Sequence, residues 1–160
     1  MKDQTYAYLK SAKIAFEIFN HPALFACGDD DKYGIVFPGI TCKNLFLRNR
    51  NKTRYYLVSL STKKSISLSD LAAKLDEKRL NFASPEDLLE KLKVKPGSVS
   101  LLNLISVAPT DITFIIDKHL KKAPKVGFHP SDNTATVFIS GESIETILKN
   151  FKANYKFLDL

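Results

Sequence analysis

The stretch Lys43-Asn44-Leu45-Phe46-Leu47-Arg48 has the apolar character of a buried β-strand, yet it begins with a lysine. Side chains along a strand point alternately to its two faces, so Lys43 shares a face with Leu45 and Leu47. A buried amine is costly unless it reaches water or a partner. Two interpretations follow: the lysine ends a strand and extends into solvent, or it lines a pocket.

A second stretch bears on that choice. Gly127-Phe128-His129-Pro130 precedes Asn133-Thr134-Ala135-Thr136, which places a histidine in a turn-rich loop before another predicted strand. A lysine at one strand end and a histidine near another can converge on one pocket. The pair therefore favours the pocket interpretation of the lysine.

The chain around these stretches alternates between strand and helix patterns. Residues 43–47 and 54–60 are predicted to form a hairpin, because the polar residues 49–53 have a typical hairpin length. Ser84 is predicted to cap a helix that begins at Pro85, with Leu88, Leu89 and Leu92 on its buried face. Further strands are predicted at 14–18, 80–82, 112–116, 126–128, 134–139 and 155–158, and further helices at 5–11, at 69–76 with Ser69 as N-cap, and after Ser140. The apolar stripe of the last helix is predicted to consist of Ile144, Ile147, Leu148 and Phe151. The acidic residues 29–31 are predicted to form a solvated turn.

Strands therefore outnumber helices, and short turns join several of them. This pattern predicts an α/β (α+β) fold, with a curled, mixed, largely antiparallel sheet flanked by helices. We expect residues 1–160 to form a single domain, since the sequence shows no linker and no internal repeat.

Several classes of protein are disfavoured by composition and motifs. No apolar run approaches 18 residues, and Met1 to Gln4 lack the order of a signal peptide, so we expect no membrane association. Cys27 and Cys42 have no metal-binding spacing and are interpreted as free thiols in a reducing cytoplasm. The absence of a glycine-rich phosphate loop argues against a nucleotide cofactor, and we expect no cofactor of any kind.

The charge of the chain favours a polyanionic partner. Lys+Arg 24 against Asp+Glu 17 gives a formal net charge of +7. The cations cluster around 48–54 and 118–125, which favours nucleic acid over the alternative of a generic lysine-rich surface.

Three chemistries suit the candidate residues. Cys42 as nucleophile with His129 as base is disfavoured, because neighbouring strand residues point to opposite faces and Cys42 and Lys43 would not share a pocket. A metal hydrolase is disfavoured because His21, His119 and His129 have no ligand spacing. Ester hydrolysis by a positioned water needs only a cation, fixed dipoles and a shaped pocket, and is favoured.

Lys43 to Arg48, Gly97 to Ser100, the His129 and Asn133 stretches and the terminal Leu158-Asp159-Leu160 together resemble the YbaK-like family of aminoacyl-tRNA deacylases. This superfamily includes the editing domain of bacterial prolyl-tRNA synthetase. The sequence is most similar to its stand-alone branch, the alanyl-tRNA(Pro) deacylases. The resemblance implies a trans-editing aminoacyl-tRNA hydrolase that clears mischarged tRNA(Pro), with tRNA, and also prolyl-tRNA synthetase, as partners.

The resemblance also assigns roles to residues. Lys43 would hold the substrate end of the tRNA, His129 would position substrate or water, and the Gly97 loop would wall the aminoacyl pocket. We expect Asn44, Gly97, Ser98, Val99, Gly127, Phe128 and Asn133 to bind the substrate. From the clustering of cations we expect Arg48, Arg50, Lys121, Lys122 and Lys125 to bind tRNA.

The chain departs from its relatives in two places. Leu101 stands where they usually have a proline that closes the glycine loop, and Thr41 stands where they often have a histidine. Leu101 either belongs to the pocket loop or packs in the core. The rival function is a catalytically silent tRNA-binding module or amino-acid sensor on the same fold.

Overall fold

The computed structural model describes residues 2–26 and 28–160. The prediction that Cys27 is a free thiol therefore lies outside the described residues, whereas Cys42 is a free cysteine. Within the described ranges, no helix has the length and apolar character needed to cross a bilayer.

The core of the fold is an 8-stranded sheet. Its strands are β1 (Glu17–Asn20), β2 (Ile40–Asn49), β3 (Tyr55–Ser61), β4 (Leu80–Phe82), β5 (Thr113–Asp117), β6 (Val126–Phe128), β7 (Ala135–Ile139) and β8 (Asn154–Leu158). The strand order is β1-β7-β6-β2-β3-β5-β8, and β4 pairs with β2 outside this path. Strands β1/β7, β6/β7, β2/β3 and β2/β4 pair antiparallel, whereas β2/β6, β3/β5 and β5/β8 pair parallel. The predicted mixed sheet is confirmed.

Helices cover the sheet and join its strands. They are α1 (Lys2–Ser11), α2 (Asp29–Lys32), α3 (Leu68–Lys74), α4 (Pro85–Asp87), α5 (Leu104–Val107) and α6 (Gly141–Asn150). A π-helical turn at Leu88–Leu92 continues α4, and 3₁₀ turns lie at Leu101–Asn103 and Lys118–Lys122. The amphipathic stripe of α6 buries Ile144, Ile147 and Leu148 as predicted.

Strand β2 organises the sheet because it pairs with three others. It meets β6 through Ile40↔Val126 and Thr41↔Gly127, β3 along Cys42 to Arg48, and β4 near Asn49. Alternation along β2 sends Phe46 into one apolar cluster and Leu45 and Leu47 into a second. After Thr41 the strand leaves β6, which opens a cleft between the two.

The junction between β2 and β6 is closely packed around glycines. A Cβ built on Gly39 would collide with the backbone carbonyl of Lys125, and one on Gly127 would lie 2.7 Å from the ring of Phe138. The Lys125 backbone can lie against Gly39, and the Phe138 ring against Gly127, only because neither position carries a side chain.

Four local predictions need correction. The cap of α3 is Ser67, whose side chain accepts from the Asp70 N–H, while the predicted Ser69 lies inside the first turn. Leu89, predicted to be buried, is 64% exposed, because the π-helical turn carries it outward while Leu88 and Leu92 stay inside. Two further elements differ from the prediction: the predicted turn at 29–31 is α2, and the strand predicted from 14 begins at Glu17.

Candidate active site

A cavity of about 250 Å³ lies where β2 leaves β6. This volume is close to the lower end of the roughly 300–1,000 Å³ typical of small-ligand sites. Seven of the predicted site residues line it: Lys43, Asn44, Gly97, Val99, Gly127, Phe128 and His129. The structure thus brings the start of one strand, the glycine loop and the end of another strand together around one cavity.

Ser98 and Asn133 lie beside the cavity and are not among its lining residues. The Asn133 amide donates to the carbonyl of Leu24, whose own N–H donates back to the Asn133 carbonyl. Asn133 therefore holds the segment around Leu24, which does line the cavity. Sequence reasoning missed this wall, which Leu24, Phe25, Ala26, Gly28, Asp30 and Phe37 form.

The amine of Lys43 is free to act on a ligand. Lys43 is half-buried at the cavity and forms no ion pair or hydrogen bond with any residue in the described part of the chain. An unpaired ammonium in a partly dry cleft attracts an anion or a developing negative charge more strongly than one in bulk water.

His129 is held in one tautomer. Its Nδ1 lies 2.9 Å from the carbonyl oxygen of Ala135. A carbonyl only accepts, so Nδ1 carries the hydrogen and Nε2 is left with its lone pair. Burial lowers the pKa of His129 below its ordinary value, against a smaller opposing effect of the Ala135 hydrogen bond. The ring is therefore neutral near pH 7 and presents an acceptor to the cavity.

A second histidine fixes a hydroxyl in the cavity wall. His21 Nδ1 lies 2.8 Å from the carbonyl of Pro22, and its Nε2 lies 2.7 Å from Thr136 Oγ1. In the neutral ring Nδ1 donates to Pro22, so the Thr136 hydroxyl donates to Nε2. Thr136 lines the cavity and keeps its oxygen lone pairs for a ligand. The sequence offered no signal for this pair.

The glycine loop closes over the cavity in a conformation that suits glycine. Gly97 has φ +94, and a Cβ there would lie 3.2 Å from the Phe25 ring and 3.4 Å from the Asn133 amide. Leu101, at the end of this loop, is 0% exposed and belongs to the core. Its N–H donates 3.2 Å to Asn44 Oδ1.

The prediction that Cys42 and Lys43 would not share a pocket is wrong, yet the environment of Cys42 still disfavours it as a nucleophile. Cys42 and Lys43 both line the cavity, because the cavity reaches around the edge of β2 exposed where that strand leaves β6. Burial, together with the charge of Asp117, raises the pKa of the Cys42 thiol well above its usual range. A thiol held protonated in this way is a poor nucleophile.

His119 lies away from His129, in a charged cluster on β5 and its following turn. The carboxylate of Asp117 is buried and lies 2.6 Å from Lys64 Nζ and 2.9 Å from His119 Nδ1. Asp159 approaches the same group, at 3.8 Å from His119. The Lys64 ammonium already supplies the positive charge that the buried Asp117 requires.

The five residues predicted to bind tRNA are spread over the surface. The Arg48 guanidinium pairs with Asp87 at 2.7 Å, and Arg50 is exposed beyond the end of β2 that lies away from the cavity. Lys121 pairs with Glu145 at 3.2 Å, Lys125 pairs with Glu17 at 2.5 Å, and Lys122 is exposed without an ion pair in the described residues. Their role in tRNA binding stays a prediction.

Comparison with known proteins identifies the family. Residues 21–147 match the family model of the aminoacyl-tRNA editing domain. The chain belongs to this family. Membership confirms the predicted class of enzyme, an aminoacyl-tRNA hydrolase, and confirms the resemblance seen in the sequence.

Individual relatives agree over nearly the whole chain. The chain is 31% identical over 159 residues to the prolyl-tRNA editing protein ProX of Acetoanaerobium sticklandii, covering 99% of this chain and 97% of that protein. It is 34% identical over 146 residues to the prolyl-tRNA synthetase associated domain-containing protein 1 of Bos taurus, covering 89% and 85%.

The fold agrees with a solved structure described as a "putative trans-editing enzyme for prolyl tRNA synthetase". The two share a TM-score of 0.71 at 18% identity, with 98% of this chain and 95% of that chain covered. This likeness confirms the fold of the editing-domain family.

Proposed function

We propose that the protein is a trans-editing deacylase that hydrolyses the ester of mischarged tRNA(Pro), with alanyl-tRNA(Pro) as its preferred substrate. The observation that carries the proposal is a cavity that combines a lysine without a partner among residues 2–26 and 28–160 with a neutral, oriented histidine. The relative ProX is named as a prolyl-tRNA editing protein and matches nearly the full chain. That name supports tRNA(Pro) as the tRNA of the proposed substrate.

The cavity suits direct attack by water. His129 Nε2 accepts a hydrogen from a water molecule, whose oxygen attacks the ester carbonyl. Lys43 and the polar groups beside it stabilise the negative charge that develops on the carbonyl oxygen. Collapse breaks the bond to the ribose oxygen, which takes up the proton, and gives the free amino acid and the tRNA 3′ end.

Discrimination between amino acids would follow the double-sieve principle. A synthetase site built for proline excludes the smaller alanine poorly, because one or two missing methylenes change binding by about 1–3 kcal/mol each. A second pocket that does not accept proline then removes alanine.

The decisive experiment uses tRNA(Pro) charged separately with alanine, cysteine, serine and proline. Ester loss is followed with and without the protein. Alanyl-tRNA(Pro) should be hydrolysed fastest and prolyl-tRNA(Pro) slowest, and faster loss of cysteine or serine would reassign the preferred amino acid. No protein-dependent loss with any of the four would favour the rival function, the silent tRNA-binding module or amino-acid sensor. In that case, calorimetry with free alanine and with uncharged tRNA(Pro) separates the two forms of the rival.

We further propose that residues 1–160 act as one editing domain, and that the protein meets its substrate as it leaves prolyl-tRNA synthetase. Co-sedimentation of the purified protein with prolyl-tRNA synthetase, with and without tRNA(Pro), tests the second point. A complex formed only with tRNA would indicate a meeting through the substrate.

A further inference from the structure

The orientation of the Asn44 side chain in the cavity is fixed by two residues that do not line the cavity. Asn44 Oδ1 lies 2.6 Å from Ser59 Oγ and 3.2 Å from the backbone nitrogen of Leu101. A backbone N–H can only donate, so the amide atom that faces Leu101 must be the oxygen. The Asn44 Nδ2 therefore points the other way.

The amide nitrogen of Asn44 has no hydrogen-bond partner in the described residues. Tyr6 Oη is the only buried side-chain polar atom of those residues that lacks a partner, so the Asn44 nitrogen is not buried. The Nδ2 group is consequently accessible, and Asn44 lines the cavity. The cavity thus contains two neutral N–H donor hydrogens on a side chain that cannot turn over without breaking both bonds to its oxygen.

Ser59 is suited to hold this arrangement because its hydroxyl has no competing hydrogen-bond partner among the described residues. It lies on β3 directly opposite Asn44 in the antiparallel register and is 0% exposed. Its hydroxyl donates to the Asn44 oxygen. Leu101 N–H approaches from the glycine loop, so two separate elements lock one amide.

We propose that Ser59, assisted by the Leu101 N–H, is a positioning residue that fixes Asn44 as a hydrogen-bond donor to the oxyanion of the ester. This inference rests on the proposed function. A donor fixed before the reaction needs no reorganisation when negative charge develops, whereas a rotating amide presents its oxygen part of the time and repels that charge.

Two variants test the proposal: one replaces the Asn44 donor, and the other removes the Ser59 hydroxyl that holds it. Asn44→Asp keeps an acceptor for Ser59 and Leu101 but replaces the cavity-facing donor with an oxygen, so kcat should fall by roughly 100-fold or more. Ser59→Ala frees the amide, so kcat should fall by about tenfold with KM little changed. Ser61→Ala, on the same strand and outside the cavity lining, is the matched control and should behave as wild type.

A spectroscopic readout separates positioning from damage to the fold. In ¹⁵N-labelled protein, the Asn44 side-chain amide pair is identified by its loss in Asn44→Asp. That pair should shift and broaden in Ser59→Ala and stay unchanged in Ser61→Ala, with melting temperatures alike.

An unchanged Asn44 signal in Ser59→Ala overturns the positioning role, and so does a changed signal with wild-type kcat. If the wild-type protein hydrolyses none of the aminoacyl-tRNAs, the proposed function fails and this role falls with it. Normal wild-type hydrolysis with an unaffected Ser59→Ala overturns the positioning role alone.

Discussion

Lys43 is the residue whose loss should harm catalysis most while leaving the fold intact. Its amine has no partner in the described part of the chain, so Lys43→Ala removes no internal bond. We expect hydrolysis of alanyl-tRNA(Pro) to fall by about 100-fold or more, the usual scale for a lost oxyanion contact. The melting temperature should stay within a few degrees of wild type.

The control for this variant is Lys63→Ala, which removes an exposed lysine just after β3. That variant should retain wild-type hydrolysis. Near-full activity in Lys43→Ala would show that the cavity has been assigned the wrong cation.

His129 should give the enzyme an acid limb in its pH profile. Burial lowers the pKa of His129 below its ordinary 6.5, with His21 acting in the same direction and Asp132 against it. As a base the ring works only when neutral, so kcat/KM should rise with pH through this lowered pKa and be level by pH 7. His129→Gln should lose the limb and roughly 100-fold of the rate.

The same shift predicts a dependence of stability on pH. As pH falls below 6.5, His129 takes up a proton more readily in the unfolded chain than in the folded protein, because its pKa is lower in the folded state. The contribution of His129 to the free energy of unfolding is therefore fully present above pH 6.5 and is lost as pH falls through the folded-state pKa. The melting temperature of wild type should therefore drop more between pH 7.5 and 5.5 than that of His129→Gln. Parallel curves for the two proteins would contradict the assigned direction.

At the scale of elements, the 3₁₀ turn at Leu101–Asn103 links the core to the site. The Leu101 side chain is buried and its N–H holds Asn44. Leu101→Ala should destabilise the protein by about 2–5 kcal/mol but keep the N–H. Leu101→Pro should add a further loss of kcat, because proline has no N–H to donate.

Both variants should change alanyl- and prolyl-tRNA(Pro) hydrolysis by the same factor, since Leu101 does not line the cavity. Measuring kcat/KM for both substrates beside the melting temperature checks this. A changed ratio of the two kcat/KM values in Leu101→Pro would show that Leu101 helps to select the amino acid.

Elements with a local code were predictable from the sequence, and elements set by packing were not. Ser84 and Pro85 mark a helix start by their own chemistry, and the predicted cap is present. The Ser67 cap of α3 had a local signal as well, because the acidic Asp70 follows it three positions later, and the prediction of Ser69 overlooked that signal. Leu89 follows the helical period of the sequence but is exposed, because a π-helical turn carries no clear local signal.

The candidate site divides in the same way. Lys43 and His129 carry chemistry that is visible in the sequence, and the structure places both at one cavity. The segment around Phe25 has no periodic pattern, so its position over Gly97 depends on the Asn133 contacts, which join distant parts of the chain. The Ser59 contact with Asn44 depends on the register of β2 against β3. Sequence patterns predict the hairpin but do not define its strand ends, so they do not define this register.

At the scale of the whole molecule, the net charge of +7 should make tRNA affinity fall steeply with salt. Each neutralised phosphate contributes a slope of about −0.7 to −0.9 in a log–log plot. Lys122 is free of internal ion pairs in the described chain, whereas Lys121 pairs with Glu145 and lies over the Phe157 ring. Lys122→Gln should therefore flatten the slope by nearly one phosphate, and Lys121→Gln by less.

The control is Lys10→Gln, an exposed lysine on α1 that is not among the residues predicted to bind tRNA, and it should leave the slope unchanged. Fluorescence anisotropy with labelled tRNA(Pro) between 50 and 300 mM salt measures all of these proteins on one scale, a range of about sixfold in ionic strength. A tRNA affinity that does not change with salt concentration would favour a small-molecule sensor.

The short junction between β2 and β6 gives the molecule a mechanical property. Ile40↔Val126 and Thr41↔Gly127 pair the two strands, and the cavity begins where this pairing stops. The two sides of the sheet share one buried core, but their backbone pairing is shortest at this junction, so we expect the junction to open locally more often than the interior of the sheet. In hydrogen exchange, the Ile40 amide, bonded to the Lys125 carbonyl, should exchange sooner than the amides of Leu57 and Val58 on the fully buried strand β3. We expect such local opening to widen the cavity for the bulky 3′ end of a tRNA.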